Sequence, residues 1–146
     1  MHKVKATVAE LRAAANDLSP GDLAEFRALH GNSKCPVEVL ADALDATTHA
    51  IKCGALVLAV GGHGDGIIWF VTTNVVHMLT RAQRFQFYRI LKDHYRSLSG
   101  IQNFQYSNCV SIANHAHIRL LESLGATFSK ESSMSPAGFQ FKQFWL

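Results

Sequence analysis

His115 and His117 stand two residues apart in NHAHIRLLESLGA, where an apolar repeat begins. On a helix that spacing turns them about 200° from one another, so they cannot share a metal ion. His63 and Asp65 lie in a glycine-rich GGHGDG with no evident third or fourth ligand. His77 and His94 fall at the edges of a long helical pattern. No metal site follows from these spacings, and no Ser-His-Asp or Cys-His arrangement that would activate a nucleophile can be read from them. Cys109, inside an apolar run, reads as a small buried residue. Cys35, Cys53 and Cys109 are odd in number and widely spaced, which suits free thiols in a reducing compartment.

The strongest charge feature is the segment 81–98. Its five cationic residues, Arg81, Arg84, Arg89, Lys92 and Arg96, face one acid, Asp93, so it carries more net positive charge than the whole chain's formal +3. Arg81, Arg84, Tyr88, Lys92 and Arg96 recur at spacings of three and four and form one stripe, with Phe87, Ile90, Leu91 and Leu98 on the opposite, buried face. Two arginines in the first turn oppose the helix dipole unless an anion or acidic surface is near. Such a stripe suits an acidic protein surface, a nucleic acid or a cofactor phosphate, and equally an ordinary solvated face. At the other end, FQFKQFWL offers a last strand with Phe139 and Phe141 on one face, or an anchor for a partner through Trp145 and Leu146.

These residues need a frame. A chain of 146 residues, 48% of them hydrophobic, can bury a core as one domain, 1–146, without staples. A strand near Lys3–Ala6 precedes a helix over Val8–Leu18. Ser19-Pro20-Gly21-Asp22 breaks it and starts a second, with Leu23, Phe26 and Leu29 as its apolar stripe. Pro36 opens another, with Val39, Leu40, Ala43 and Leu44. Strands follow at Thr48–Lys52, Ala55–Val60 and Gly66–Thr72, the last two joined by GGHGDG as a hairpin turn. After the basic helix an apolar run from Phe104 through Tyr106 and Cys109–Ile112 ends at Asn114. Asn114 suits an N-cap. Ile118, Leu121 and Leu124 carry the helix to Gly125, which can take the left-handed conformation that stops it. Ala126–Phe128 and a Phe-rich closing strand complete the order. The longest apolar stretches, Gly54–Gly62 and Ile67–Val71, are too short to span a bilayer, and MHKVKATVAEL lacks the apolar region of a secretory signal. Synthesis in a cytoplasm and no membrane insertion by this chain are the expectations.

The frame N-x-x-x-x-x-x-L-E-x-L-G-A between two strands resembles the C-terminal half of the Gcn5-related N-acetyltransferase (GNAT) fold. The element order extends that resemblance over nearly the whole chain. It implies an α/β (α+β) fold of order βααβββαβαββ, a mixed but mostly antiparallel sheet flanked by helices. In that family a Q/R-x-x-G-x-G/A loop after the fourth strand offers backbone N–H groups to the pyrophosphate of acetyl-CoA. The corresponding segment here, Val71–Arg84, has no glycine, and none occurs between Gly66 and Gly100. Many members place a tyrosine general acid where this chain has Leu121, which has no proton to give. The resemblance therefore implies no catalytic residue, a vestigial cofactor contact at Asn114 and a cleft partly filled by His117. The alternative is an acetyl-CoA-dependent N-acetyltransferase that manages without the tyrosine.

A narrower resemblance is to the small internal virion proteins of short-tailed bacteriophages. Gly61, Gly62 and Trp69-Phe70-Val71-Thr72-Thr73 carry it, with the basic helix and Asn114, His117-Ile118-Arg119, Leu121, Gly125 and Ala126. It implies a virion or assembly protein, made in the host bacterial cytoplasm and found in the virion, acting in particle assembly or genome delivery. Other phage virion proteins would be its partners, with Arg81, Arg84, Lys92, Arg96 and Trp145 as candidate contacts and nucleic acid possible through the helix 81–98. No cofactor and no metal are expected on this reading.

Overall fold

The computed structural model describes residues 1–99 and 105–146. The chain runs β1 (His2–Lys5), α1 (Val8–Asn16), α2 (Pro20–His30), α3 (Pro36–Asp42), β2 (His49–Cys53), β3 (Leu56–Gly64), β4 (Ile67–Thr72), α4 (Val75–Met78), α5 (Arg81–Ser99), β5 (Ser107–Ser111), α6 (His115–Leu124), β6 (Thr127–Met134) and β7 (Gln140–Trp145). The seven strands among the described residues form one sheet in the order β1-β2-β3-β4-β5-β7-β6. Every neighbouring pair is antiparallel except β4 and β5. The mixed, mostly antiparallel sheet agrees with expectation. Three helices separate β1 from β2, as the segment reading with Pro36 opening the third expects and one more than the order βααβββαβαββ counts, and the short α4 is an addition to both.

Alternation along the strands gives the sheet two apolar faces. Val57 and Val60 of β3 and Ala50 of β2 pack with Leu11, Ala14 and Ala15 of α1 and Leu40 of α3. The other face sends Ile51, Leu58, Ile68, Phe70, Val110 and Phe144 against Phe87, Leu91 and Tyr95 of α5 and Leu121 of α6. Tyr95 thus joins the buried stripe of α5, while Ile90 and Leu98 pack at its margin. Thr80 and Gln83 start α5 with a reciprocal cap, each accepting the other's backbone N–H. Asn114 caps α6 by accepting the His117 N–H, and Gly125 ends it at φ 100°.

Several local expectations are corrected. β3 continues through Gly61 to Gly64, so the turn is Asp65-Gly66 alone, with φ of 49° and 79°. Glycine is required at 61 because a Cβ there would lie 2.6 Å from the Trp69 carbonyl oxygen. Phe139 is exposed outside β7, and the buried aromatics of the closing segment are Phe141 and Phe144. β6 runs on to Met134, since β7 folds back between it and β5 and pairs with both. Cys109 is exposed rather than buried, because β5 turns Val110 into the core. Phe104, expected to begin that strand, lies outside the described residues.

The second helix departs most. Its expected apolar stripe is half turned out, Leu23 being 39% and Leu29 40% exposed, whereas Asp22 and Ala28 are buried. Its acidic face points inward.

Candidate functional site

β4 and β5 run parallel but meet at a single ladder position, Ile67 opposite Ser107. Beyond it they splay. Backbone groups along the two facing edges have lost the partner a continuous ladder would supply, and groups left unpaired inside a protein are costly. Side chains fill the wedge instead. Asn108 donates its amide to the Ile68 carbonyl at 2.8 Å and accepts the Cys109 N–H at 2.7 Å. Further along, α2 enters with two carboxylates three residues apart, on one face of the helix.

Asp22 serves the β4 side. Its Oδ2 accepts the Thr72 N–H at 2.7 Å and the Thr72 hydroxyl at 2.6 Å, with the Ser19 hydroxyl at 3.0 Å. The Thr72 carbonyl accepts the Ser19 N–H at 2.8 Å, so the entry to α2 lies against the end of β4. Glu25 serves the β5 side, its Oε2 accepting the Ser111 N–H at 3.2 Å. Asn114 joins the two, donating from Nδ2 to Asp22 Oδ1 at 3.2 Å and to Glu25 Oε2 at 3.0 Å. One side chain therefore caps α6 and crosslinks both carboxylates. Gly21 leaves the room for it, since a Cβ there would lie 2.6 Å from Asn114 Oδ1.

His117 completes the cluster. Its ring meets Phe70 edge-on with centroids 4.5 Å apart, and Nδ1 lies 3.5 Å from Asp22 Oδ1 and 4.0 Å from Glu25 Oε2. Both ring nitrogens are buried without a hydrogen bond among the described residues. The two acids respond oppositely to this setting. Burial works to raise Asp22, but the His117 ring and the Thr72 bonds outweigh it and hold the carboxyl below its ordinary range. Burial raises Glu25 as well, and here the nearby His117, Asn114 and Ser111 do not compensate, with Asp22 adding repulsion. Paired acids with divergent proton affinity beside an imidazole are chemically suited to proton transfer. Here, however, the carboxylates are bonded to backbone and to Asn114, so the arrangement acts as a clasp between the strands.

Two cavities flank the clasp, of about 270 Å³ and about 220 Å³, and share Asp22, Phe70 and His117 as walls. The larger is lined by Glu25, Leu29, Trp69 and Cys109, the smaller by Thr72, Phe87 and Leu120. Cys109 is exposed, but the part of it turned to the cavity is desolvated, and this and the Glu25 charge both raise its thiol, so it is not activated as a nucleophile. At the end of β4 the Thr73 N–H donates to Leu58 O at 2.9 Å and the Asn74 N–H to Asp17 O at 2.8 Å. These donors bond within the fold and are not gathered toward a phosphate.

The other sequence-derived candidates are dispersed. Leu121 is fully buried in the core. Arg81, Arg89 and Arg96 are exposed on α5. Arg84, also exposed, bonds back through Nε to Leu79 O at 3.1 Å and through a terminal nitrogen to His77 O at 3.0 Å, closing the end of α4. Lys92 lies over the Tyr88 ring at 5.5 Å, and Tyr88 donates to Ser123 O at 2.7 Å, tying α5 to α6. Trp145 is half-buried on β7, opposite Ser107 and Thr127. Among the described residues no three His, Cys, Asp or Glu side chains are placed to hold a metal ion, and no helix is long and apolar enough to cross a membrane.

Sequence reasoning passed over Asp22 and Glu25. The available signal was Ser19-Pro20-Gly21-Asp22, a helix start whose acid recurs three residues later. Residues 47–133 match a family model described as bacteriophage T7, probable scaffold protein Gp13. Comparison with curated proteins finds no match.

Proposed function

The chain belongs to the family of the bacteriophage T7 probable scaffold protein Gp13, and from that premise we propose that it is a structural protein of a phage particle or its assembly, built on a degenerate acetyltransferase-like architecture. The observation that carries the second half is the clasp. The wedge between the parallel strands holds two acidic side chains of the chain's own, bonded to the strand edges. An anionic cofactor such as acetyl-CoA would meet like charge there. Leu121 in the core supplies no acid, and the Thr73 and Asn74 N–H groups are bonded elsewhere. These features favour assembly over acetyl transfer and need no cofactor.

On this reading the working surface is the exposed side of α5. Arg81, Arg89 and Arg96, with Phe85 63% exposed among them, suit an acidic face of another virion protein. Trp145, held in β7, adds an aromatic edge near the C-terminus, and nucleic acid is the competing occupant of α5.

The test has two arms. Purified phage particles are fractionated and probed for the protein, and the isolated chain is titrated calorimetrically with acetyl-CoA. Cosedimentation with particles or their assembly intermediates without cofactor binding is expected. Saturating acetyl-CoA binding, which at a hundredfold excess over Kd would stabilise the fold by about 2.7 kcal/mol, would overturn the degenerate-site reading. Absence from every particle and intermediate would overturn the structural one.

A further inference from the structure

Away from the wedge, β1, β2, β3 and α5 bring a second set of titratable groups together. Lys3 pairs with Ile51, Lys5 with His49, and His63 with Ile68, and Ile51 and Ile68 belong to the core under α5. Cross-strand partners share a face, so Lys3, Lys5, His49 and His63 all stand on the α5 side of the sheet. α5 contributes His94. Lys3 Nζ is 2.9 Å from His94 Nδ1, and the His94 ring is 5.4 Å from that of His49 and 6.3 Å from that of His63. Tyr106 closes the group with its ring 5.1 Å from His63. Among the described residues the one acid acting on it is Asp45, whose carboxylate already accepts the Thr47 N–H and the Thr47 and Thr48 hydroxyls.

We propose that Lys3, Lys5, His49, His63 and His94 form a binding site for a phosphate group, presented as free inorganic phosphate or by a nucleic-acid backbone. The donors suit it. Because His94 Nδ1 accepts from Lys3, its ring proton sits on Nε2, where it is a donor. His49 Nδ1 lies 2.6 Å from Thr47 O and so carries its proton, leaving Nε2 to become a second donor on protonation. Lys5 is steadied by the Ala46 carbonyl. The hollow lined by Lys3, His49, Gly61, His94 and Tyr95 has a volume of about 30 Å³, room for one or two waters or the oxygens of a small anion but not for a base or sugar.

The electrostatics agree. Burial lowers the proton affinity of Lys3, His49, His63 and His94, and neighbouring cations lower it further. Asp45 opposes this at His63 and the bond to the Thr47 carbonyl opposes it at His49, without outweighing burial at either. A dianion placed among them reverses the second cause, so binding and protonation of the histidines reinforce one another. The site is independent of the wedge and of the assembly reading.

The experiment follows the histidine Cε1–H resonances of the full chain by NMR during titration with inorganic phosphate, with a short single-stranded oligonucleotide, and with potassium chloride at matched ionic strength. Saturable shifts of His49, His63 and His94 with phosphate, tighter on mild acidification, are expected and identify a free-phosphate site. Saturation with the oligonucleotide alone assigns the site to a nucleic-acid backbone. Lys3→Gln, at an exposed position of β1, should weaken either by about tenfold, the loss of one charge-assisted bond, while the remaining spectrum is unchanged. Shifts no larger than those with chloride, or saturation that Lys3→Gln and Lys5→Gln together leave untouched, would overturn the proposal.

Discussion

The Asp22 carboxylate accepts the Thr72 backbone N–H at 2.7 Å, at a strand edge where an adjacent strand would ordinarily place a carbonyl. Glu25, three residues on, does the same for Ser111 across the wedge. The two acids hold equivalent posts, yet Asp22 is favoured as the anion and Glu25 is not. Neutral replacement should separate them. Asp22→Asn is expected to destabilise the fold by roughly 2 kcal/mol, because the amide cannot accept as a charged group from both Thr72 donors. Glu25→Gln keeps an acceptor for Ser111 while removing a poorly compensated buried charge, and should be neutral or stabilising by up to about 1 kcal/mol. Urea unfolding of both variants at neutral pH checks the pair, and equal losses would contradict the assignment.

Gly61 tests the packing of β3 on β4. A methyl group there meets backbone on the adjacent strand, whereas nothing lies within 4 Å of a Cβ at Gly64. Gly61→Ala should cost about 1–3 kcal/mol, by overpacking a site that cannot give way. Gly64→Ala should leave thermal stability nearly unchanged, a control three residues further along the same strand.

Acid should weaken the fold through its histidines before Asp22 titrates. His49, His63 and His94 lie below the ordinary 6.5, His94 at about 4, chiefly through burial. As pH falls through 6.5 the unfolded imidazoles take up protons while the folded ones do not. Stability is therefore full above that value and declines toward 4, the unfolded state binding more protons in between. His94→Gln should flatten this part of the stability profile measured by urea unfolding. The wedge behaves differently: Asp22 lies below its usual range and its contribution fades only at more acid pH, whereas Glu25, held above its ordinary value chiefly by burial, gains stability as it takes up its proton.

Arg84 and its neighbours on α5 should part company. Arg84→Ala removes two bonds that close the end of α4 and is expected to cost about 1 kcal/mol in thermal or urea unfolding. Arg81→Ala and Arg96→Ala, at exposed positions, should change stability by less than about 0.5 kcal/mol and act only on association with particles.

Much of this was legible in the sequence where the cause is local. Asn114 and Gly125 bound α6 as their chemistry requires, and the basic helix begins at Arg81 as expected. Ser19 and Pro20 likewise begin α2. Its inner face was misread because a stripe of Leu23, Phe26 and Leu29 normally marks the buried side of a helix. The demand that reverses it comes from strand edges some 50 and 86 residues away, whose N–H groups require acceptors. Nothing in α2 itself records that demand. Cys109 failed for a related reason: β5 is too short an apolar run to announce which of its faces is turned in.

The splay of β4 from β5 bears on how the chain is made. β2, β3 and β4 follow one another in sequence and pair as hairpins, so they can form a sheet before β5 is synthesised. During that interval β4 is a raw edge of aliphatic and aromatic residues, the kind on which unfinished chains stick to one another. α2 already exists by then, and Asp22 sets a charge against the end of that edge. The same carboxylate that later fastens the two parts of the sheet can thus act as a guard for the first while it waits for the second.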